Sequence, residues 1–223
     1  MGTPRRIQAV TFDVGGTLIE PWPSVGHVYA EVAAKHGHSG LSPEDLSQRF
    51  RAAFRAHGTA VNTKAEWARI VDEAFAGLLD KPPSETFFPE LYERFARADA
   101  WRVFEDVGPT LDVLKQRRMK VGVISNWDDR LRPLLGALKL AEHFEAIIVS
   151  CEVGVSKPSP RIFQTAAAQL GFPADAILHV GDSFEMDVGG AESAGLRAVR
   201  VDRGSTERSG KQIRSLLDLL KLL

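Results

Sequence analysis

The sequence predicts an α/β protein: a doubly wound parallel sheet with a helical bundle inserted after the first strand. Two observations predict it. Over residues 102–223, short apolar runs rich in β-branched residues alternate with helical patterns. That alternation builds parallel sheets covered by helices on both faces. From Ser24 to Phe95 the apolar period is helical throughout, which sets that stretch apart as a small bundle. A chain of 223 residues suits one to two domains of the usual ~100–200 residues. The expected division is an α/β core of residues 1–18 and 102–223 and a helical insert of residues 19–101.

Residues 7–14 (Ile-Gln-Ala-Val-Thr-Phe-Asp-Val) read as a buried strand ending near an acid. After Pro21 and Pro23 the pattern turns helical. Ser24 is placed to cap a helix carrying Val25, Val28, Tyr29 and Val32 on one face, and Gly37 to end it. Ser42-Pro43-Glu44-Asp45 combines a cap, a first-position proline and acids in the first turn. Leu46, Phe50, Ala53 and Phe54 follow at core spacing. Thr63-Lys64-Ala65-Glu66 is a capping box ahead of Trp67, Ile70, Val71, Ala74, Phe75 and Leu78. Phe87, Phe88, Leu91, Tyr92 and Phe95 make a fourth stripe. Strands are then expected at 120–126, 146–150, 177–182 and 197–202. Between them helices are expected over Val107–Arg118, Arg130–Leu140, Pro160–Gly171 and Asp187–Ala194, with an amphipathic helix over Ile213–Leu223.

Composition excludes several classes. Lys and Arg total 28 against 29 Asp and Glu, a net charge of −1. No basic face of the kind that binds nucleic acid stands out. One cysteine, Cys151, forms neither an internal disulfide nor a cysteine zinc site, and its expected role is a small buried residue. Met1 to Arg6 lead into a strand with no signal-type apolar region. No apolar run approaches the ~18 residues of a membrane span. A cytoplasmic protein with a small-molecule partner is expected, with no membrane or nucleic-acid partner; the sequence leaves its oligomeric state open.

In open α/β sheets, ligands bind beyond the carboxyl ends of the strands. The first strand delivers Asp13, followed by Gly15, Gly16 and Thr17. The second delivers Ser125 and Asn126. Lys157 lies in the loop after the third, and Asp182, Ser183 and Asp187 follow the fourth. Carboxylates brought together raise one another's pKa unless a cation neutralises them. With oxygen donors, no cysteine set and no paired histidines, Mg²⁺ is the natural ion. A lysine and a hydroxyl beside it suit phosphate oxygens, an aspartate is a competent covalent nucleophile, and glycines admit a ligand close to the backbone. His36 and His38 read as loop residues and His179 as a core histidine. Trp127 suits the pocket or the packing equally.

Asp13-Val14-Gly15-Gly16-Thr17-Leu18, Ser125-Asn126, Lys157-Pro158 and Gly181-Asp182-Ser183-Phe184-Glu185-Met186-Asp187 resemble, in order, the four motifs of the haloacid dehalogenase-like hydrolase superfamily. The insert resembles that of its helical-cap members. The resemblance implies a Rossmann-like core under a helical cap and a Mg²⁺-dependent phosphatase of small phosphorylated metabolites, acting through an aspartyl-phosphate. It implies Asp13 as nucleophile and metal ligand, with the Gly15 carbonyl, Asp182 and Asp187 completing or orienting the metal site. Gly16, Thr17, Ser125, Asn126 and Lys157 would hold the phosphate, and Thr17, Ser125 and Lys157 would also assist the reaction.

One position departs from the pattern. Phosphatases of this superfamily usually carry a second aspartate two residues after the nucleophile, where this chain has Gly15. Glycine transfers no proton, and loss of a general acid/base typically costs ~10²–10⁴ in rate. Glu20, His27 or Glu31 from the insert are candidate replacements. The alternatives are a dehalogenase, a phosphonate hydrolase with Lys35 or Lys64 as its cap lysine, or a weakly active binding protein.

Overall fold

The computed structural model describes residues 6–58, 61–204 and 211–223, so the N-terminal segment through Arg5 lies outside them. In chain order the elements are β1 (Ala9–Phe12), β2 (Ile19–Pro21), α1 (Val25–Lys35), α2 (Pro43–His57), α3 (Lys64–Ala74), α4 (Phe88–Arg94), β3 (Trp101–Val103), α5 (Val107–Gln116) and β4 (Lys120–Ser125). There follow α6 (Leu131–Ala137), β5 (Ala146–Val149), α7 (Ser150–Val153), α8 (Pro160–Leu170), β6 (Ile177–Gly181), α9 (Gly190–Ser193), β7 (Arg197–Val201), β8 (Gln212–Ile213) and α10 (Leu216–Leu219).

Among the described residues the main sheet has six strands in the order β5-β4-β1-β6-β7-β8, all parallel. The chain runs outward from β1 in one direction through β4 and β5, and in the other through β6, β7 and β8. The reversal falls at β1, and that is where ligands bind in such sheets. Every residue of β1 and β6 is buried, as a sheet covered on both faces requires. One face packs Val10, Phe12, Val121 and Val123 against Leu111 and Leu114 of α5, Leu134 of α6 and Leu216 of α10. The other packs Ala9, Ile124 and Ile148 against Ile162, Phe163 and Ala166 of α8.

Helices α1–α4 gather Tyr29, Val32, Leu46, Val71, Phe75, Phe87 and Leu91 into a cluster of their own. Their starts follow the sequence signals. Ser24 accepts from the His27 amide and Ser42 from the Asp45 amide. Thr63 and Glu66 form the reciprocal capping box. The chain leaves through β2 and returns through β3, which pair antiparallel with Ile19 opposite Val103 and Pro21 opposite Trp101. Neither short strand was foreseen, because three residues carry too little periodicity to read.

Other elements differ in extent. The expected C-terminal helix reduces to α10, capped by Ser215, because Gln212 and Ile213 are drawn into the sheet edge beside β7. The expected helix over Asp187–Ala194 begins earlier, as a π-helical stretch Phe184–Gly189 that runs into α9. Cys151 sits on α7 and is half-buried, more open than expected. Burial and the nearby Glu152 charge push its thiol up. No helix among the described residues is long and apolar enough to cross a membrane.

Candidate active site

The ladder fixes where the chemistry emerges. Phe12 is level with Val123 of β4 and Val180 of β6, and the Asp13 amide donates to the Val180 carbonyl at 2.9 Å. Asp13 therefore leaves the sheet beside Ser125 and Gly181, the last residues of its two neighbours. The Ser125 hydroxyl donates to Asp13 Oδ1 at 3.3 Å. Lys157 Nζ donates to the same oxygen at 2.6 Å and to Asp187 Oδ1 at 2.6 Å. Asp13, Asp182 and Asp187 each offer an oxygen, all within 4.8 Å of one another.

Two glycines make this approach possible. A Cβ on Gly181 would stand 2.1 Å from the Asp187 carboxyl carbon. Gly16 has φ +78°, and a Cβ there would stand 2.4 Å from Asp182 Oδ2. Both acids pack directly on bare backbone.

Asp187 is held from three sides. Its Oδ2 accepts the Ser183 amide at 3.0 Å, while Oδ1 takes Lys157 and lies 3.2 Å from His179 Nε2. His179 Nδ1 in turn lies 2.9 Å from the Thr11 hydroxyl. The histidine expected to be merely core is thus a fully buried link between β1 and the acid cluster. Its sequence signal, a polar residue inside an apolar strand two positions before Gly181, was present but ambiguous.

Thr17 and Asn126 do different work from that expected. Thr17 is fully buried, and its hydroxyl donates to Asp13 Oδ2 at 3.4 Å rather than lining the cavity. The Asn126 amide grips the Lys157 backbone at both ends, accepting from its N–H at 2.7 Å and donating to its carbonyl at 3.0 Å. It positions the lysine as well as bordering the cavity.

The electrostatics are one cation short. Burial alone would lower the Lys157 pKa, but Asp13 and Asp187 outweigh it and hold the ammonium charged. Burial works against Asp187, yet Lys157 and His179 bring its pKa well below the carboxylate range. Asp13 goes the other way, raised by burial and by Asp187. Asp182 is pushed up to about 7 by loss of water and by the charges of Asp13 and Asp187. One ammonium does not neutralise three clustered carboxylates. The oxygen donor set and its surplus negative charge fit a hard divalent ion.

The cluster floors a cavity of about 420 Å³. Gly15, Gly16, Ser125, Asn126, Trp127 and Lys157 border it on the sheet side. The helices add an aromatic wall that includes Phe54, Trp67, Phe88 and Phe95. Trp127 both lines the cavity and packs on Trp101, ring centres 5.2 Å apart. The proposed proton donors are elsewhere. Glu20 pairs with Arg102, His27 with Ser24 and Glu31 with Lys35 and Arg94; none lines the cavity. Each takes a polar partner outside the cavity, and sequence alone does not reveal that choice.

Residues 7–195 match the family described as haloacid dehalogenase-like hydrolase. The chain belongs to that family. It is therefore a hydrolase, and the span covers all four motifs around Asp13, Ser125, Lys157 and Asp182. It is 33% identical over 209 residues to the haloacid dehalogenase-like hydrolase domain-containing protein 3 of Mus musculus, covering 88% of this chain and 82% of that one. It is 36% identical over 225 residues to a phosphoserine phosphatase of Thermus thermophilus, covering 89% and 90%. Among solved structures, the L-2-haloacid dehalogenase of Xanthobacter autotrophicus superposes with a TM-score of 0.76 at 22% identity, over 97% of this chain and 98% of that one. This haloacid dehalogenase-like hydrolase shares the fold of that enzyme.

Proposed function

We propose that the chain is a Mg²⁺-dependent phosphatase of a small phosphorylated metabolite, acting through an aspartyl-phosphate on Asp13. The core would be residues 1–18 and 102–223, with residues 19–101 as a cap over it. The observation that carries the reading is the Lys157 ammonium shared at 2.6 Å between Asp13 and Asp187, beside a third carboxylate within 4.8 Å. The relative described as a phosphoserine phosphatase supports the same reaction class.

Asp13 and Asp182 would hold Mg²⁺ with the Gly15 carbonyl, and Asp187 through its remaining lone pair. When bound, the ion offsets carboxylate charge and draws a phosphate oxygen. Ser125 and Lys157 hold the other phosphate oxygens. An Asp13 carboxylate oxygen attacks phosphorus, the ester P–O bond breaks, and its electron pair departs on the leaving oxygen. Water then attacks the phosphoryl group and the bond to Asp13 breaks. The two protons of that water end on the released alcohol and on phosphate. Asp187 keeps Lys157 charged and aimed throughout.

Incubation with p-nitrophenyl phosphate and Mg²⁺ is expected to release phosphate, and Asp13→Asn to abolish the release. Undiminished activity in that variant would remove the mechanism. Gly15 favours a second reading, a 2-haloacid substrate whose halide leaves without a proton. Halide release from 2-chloropropionate without Mg²⁺ would support it. Lys35 pairs with Glu31 and Lys64 lies over the Tyr92 ring, both outside the cavity wall, which leaves the phosphonate reading without its lysine. Trace turnover with retained Mg²⁺ and phosphate binding would favour the weakly active binding protein.

A further inference from the structure

The wall above the acid cluster carries information about the substrate. Phe54, Trp67, Phe88, Phe95, Trp101 and Trp127 are among the residues that line it, and most of the lining is apolar. Apart from the acid and lysine cluster, its ionisable residues are Tyr29, Tyr92 and Arg130. Burial pushes both tyrosine hydroxyls above the phenol range, so they stay neutral. Arg130 is engaged by Asp128 at 2.6 and 2.9 Å and by the Tyr92 carbonyl at 2.8 Å. Position 15 is glycine, and no residue of the helical wall is a proton donor matched to neutral pH.

Each feature selects against polyol and amino-acid phosphates. Their hydroxyls or ammonium would be stripped of water against a wall that is mostly apolar away from the acid cluster. Their alkoxide would also depart without a proton. A flat aromatic body instead meets ring faces and edges, and a phenol-type oxygen, with a pKa of about 10, leaves far more readily unprotonated. We propose that the substrate is the phosphate monoester of an aromatic hydroxyl, its ring held among the aromatic side chains of the wall, Phe54, Trp67 and Trp127 included. This rests on the phosphatase reading.

The test compares kcat/KM for 2-naphthyl phosphate, phenyl phosphate, phosphoserine and glycerol 3-phosphate on the full chain with Mg²⁺. It adds calorimetric Kd values for 2-naphthylmethylphosphonate and methylphosphonate. The naphthyl ester is expected to exceed the phenyl ester, whose leaving group is similar, by about 10-fold or more, the worth of a few buried carbons. Both should exceed the alkyl esters. Trp67→Ala should bring the naphthyl-to-phenyl ratio toward one while Trp67→Phe retains it, with circular dichroism as the check on folding. Gly15→Asp should speed the alkyl esters selectively. A Cβ there meets only the Trp127 ring edge at 3.4 Å, an ordinary contact. Phosphoserine or glycerol 3-phosphate turned over as fast as 2-naphthyl phosphate would overturn the substrate class and leave the phosphatase standing. If no ester were hydrolysed, the phosphatase reading would fall and the phosphonates would decide. Equal affinity for the two would overturn the aromatic ligand as well, and tighter binding of the naphthyl compound would support it.

Discussion

Gly16 shows how one missing side chain sets the reach of the site. Its φ of +78° is a conformation L-residues avoid, and Asp182 occupies the space a Cβ would need. Gly16→Ala is expected to destabilise by about 1–2 kcal/mol from backbone strain alone. It should also push Asp182 away from Asp13, so Mg²⁺ affinity by calorimetry should fall further than thermal stability accounts for. A fall in stability with unchanged metal affinity would show that Asp182 is not part of the ion site. His179 makes the complementary point. Its hydrogen bonds to Thr11 and Asp187 turn an apparent packing residue into a brace for the acid that holds Lys157.

At the scale of elements, α3 presents Trp67 to the cavity, and its start is set by Thr63 and Glu66. The Glu66 amide donates to the Thr63 hydroxyl at 3.2 Å, and Glu66 Oε2 accepts the Thr63 amide at 2.9 Å. Asn62, the residue before the cap, reaches Ser156 at 3.1 Å and Ser150 across from the helices. Thr63→Ala is expected to cost about 1 kcal/mol, the usual worth of an N-cap. Urea unfolding checks this, and no change in midpoint would mean that the Asn62 contacts carry the helix start alone. The capping box was readable because it is local: four consecutive residues contain its whole hydrogen-bond pattern. The ribbon of β2 and β3 was not, since its partners stand about eighty residues apart with the whole bundle between them.

Across the whole molecule, Asp106 ties the C-terminal segment to the loop that carries the nucleophile. It accepts two hydrogen bonds from Arg203, at 2.7 and 3.0 Å, one from the Ser215 hydroxyl and one from the Leu216 amide, both at 2.8 Å. Arg203 also donates to the Thr17 carbonyl at 2.8 Å. Burial opposes the Asp106 charge, but these donors outweigh it, and the carboxyl sits below its ordinary value of 3.8. A depressed folded pKa gives stability that is present above the unfolded value and lost as pH falls through the folded one. Asp106→Asn is therefore expected to cost about 1–3 kcal/mol at neutral pH. The gap from wild type should begin to close as pH falls below about 4 and close fully only below the depressed folded value, where Asp106 is neutral in both states. A gap that held constant to pH 2 would mean that the charge is not what joins these segments.

The sequence by itself determined the fold class, the four helices of the insert with the caps of three, the strand ends at which Asp13, Ser125 and Asp182 stand, and the loop of Lys157. Those features are written in period, cap chemistry and strand order, which are local or nearly so. Tertiary structure decided the rest: that Thr17 and Asn126 serve Asp13 and Lys157, that His179 braces Asp187, that Glu20, His27 and Glu31 take polar partners outside the cavity, and that the wall above the acids is rich in aromatic residues. Each of these depends on which distant atom lies within about 3 Å of a polar group, and only the packing of β1 against β4 and β6 under the helices fixes that.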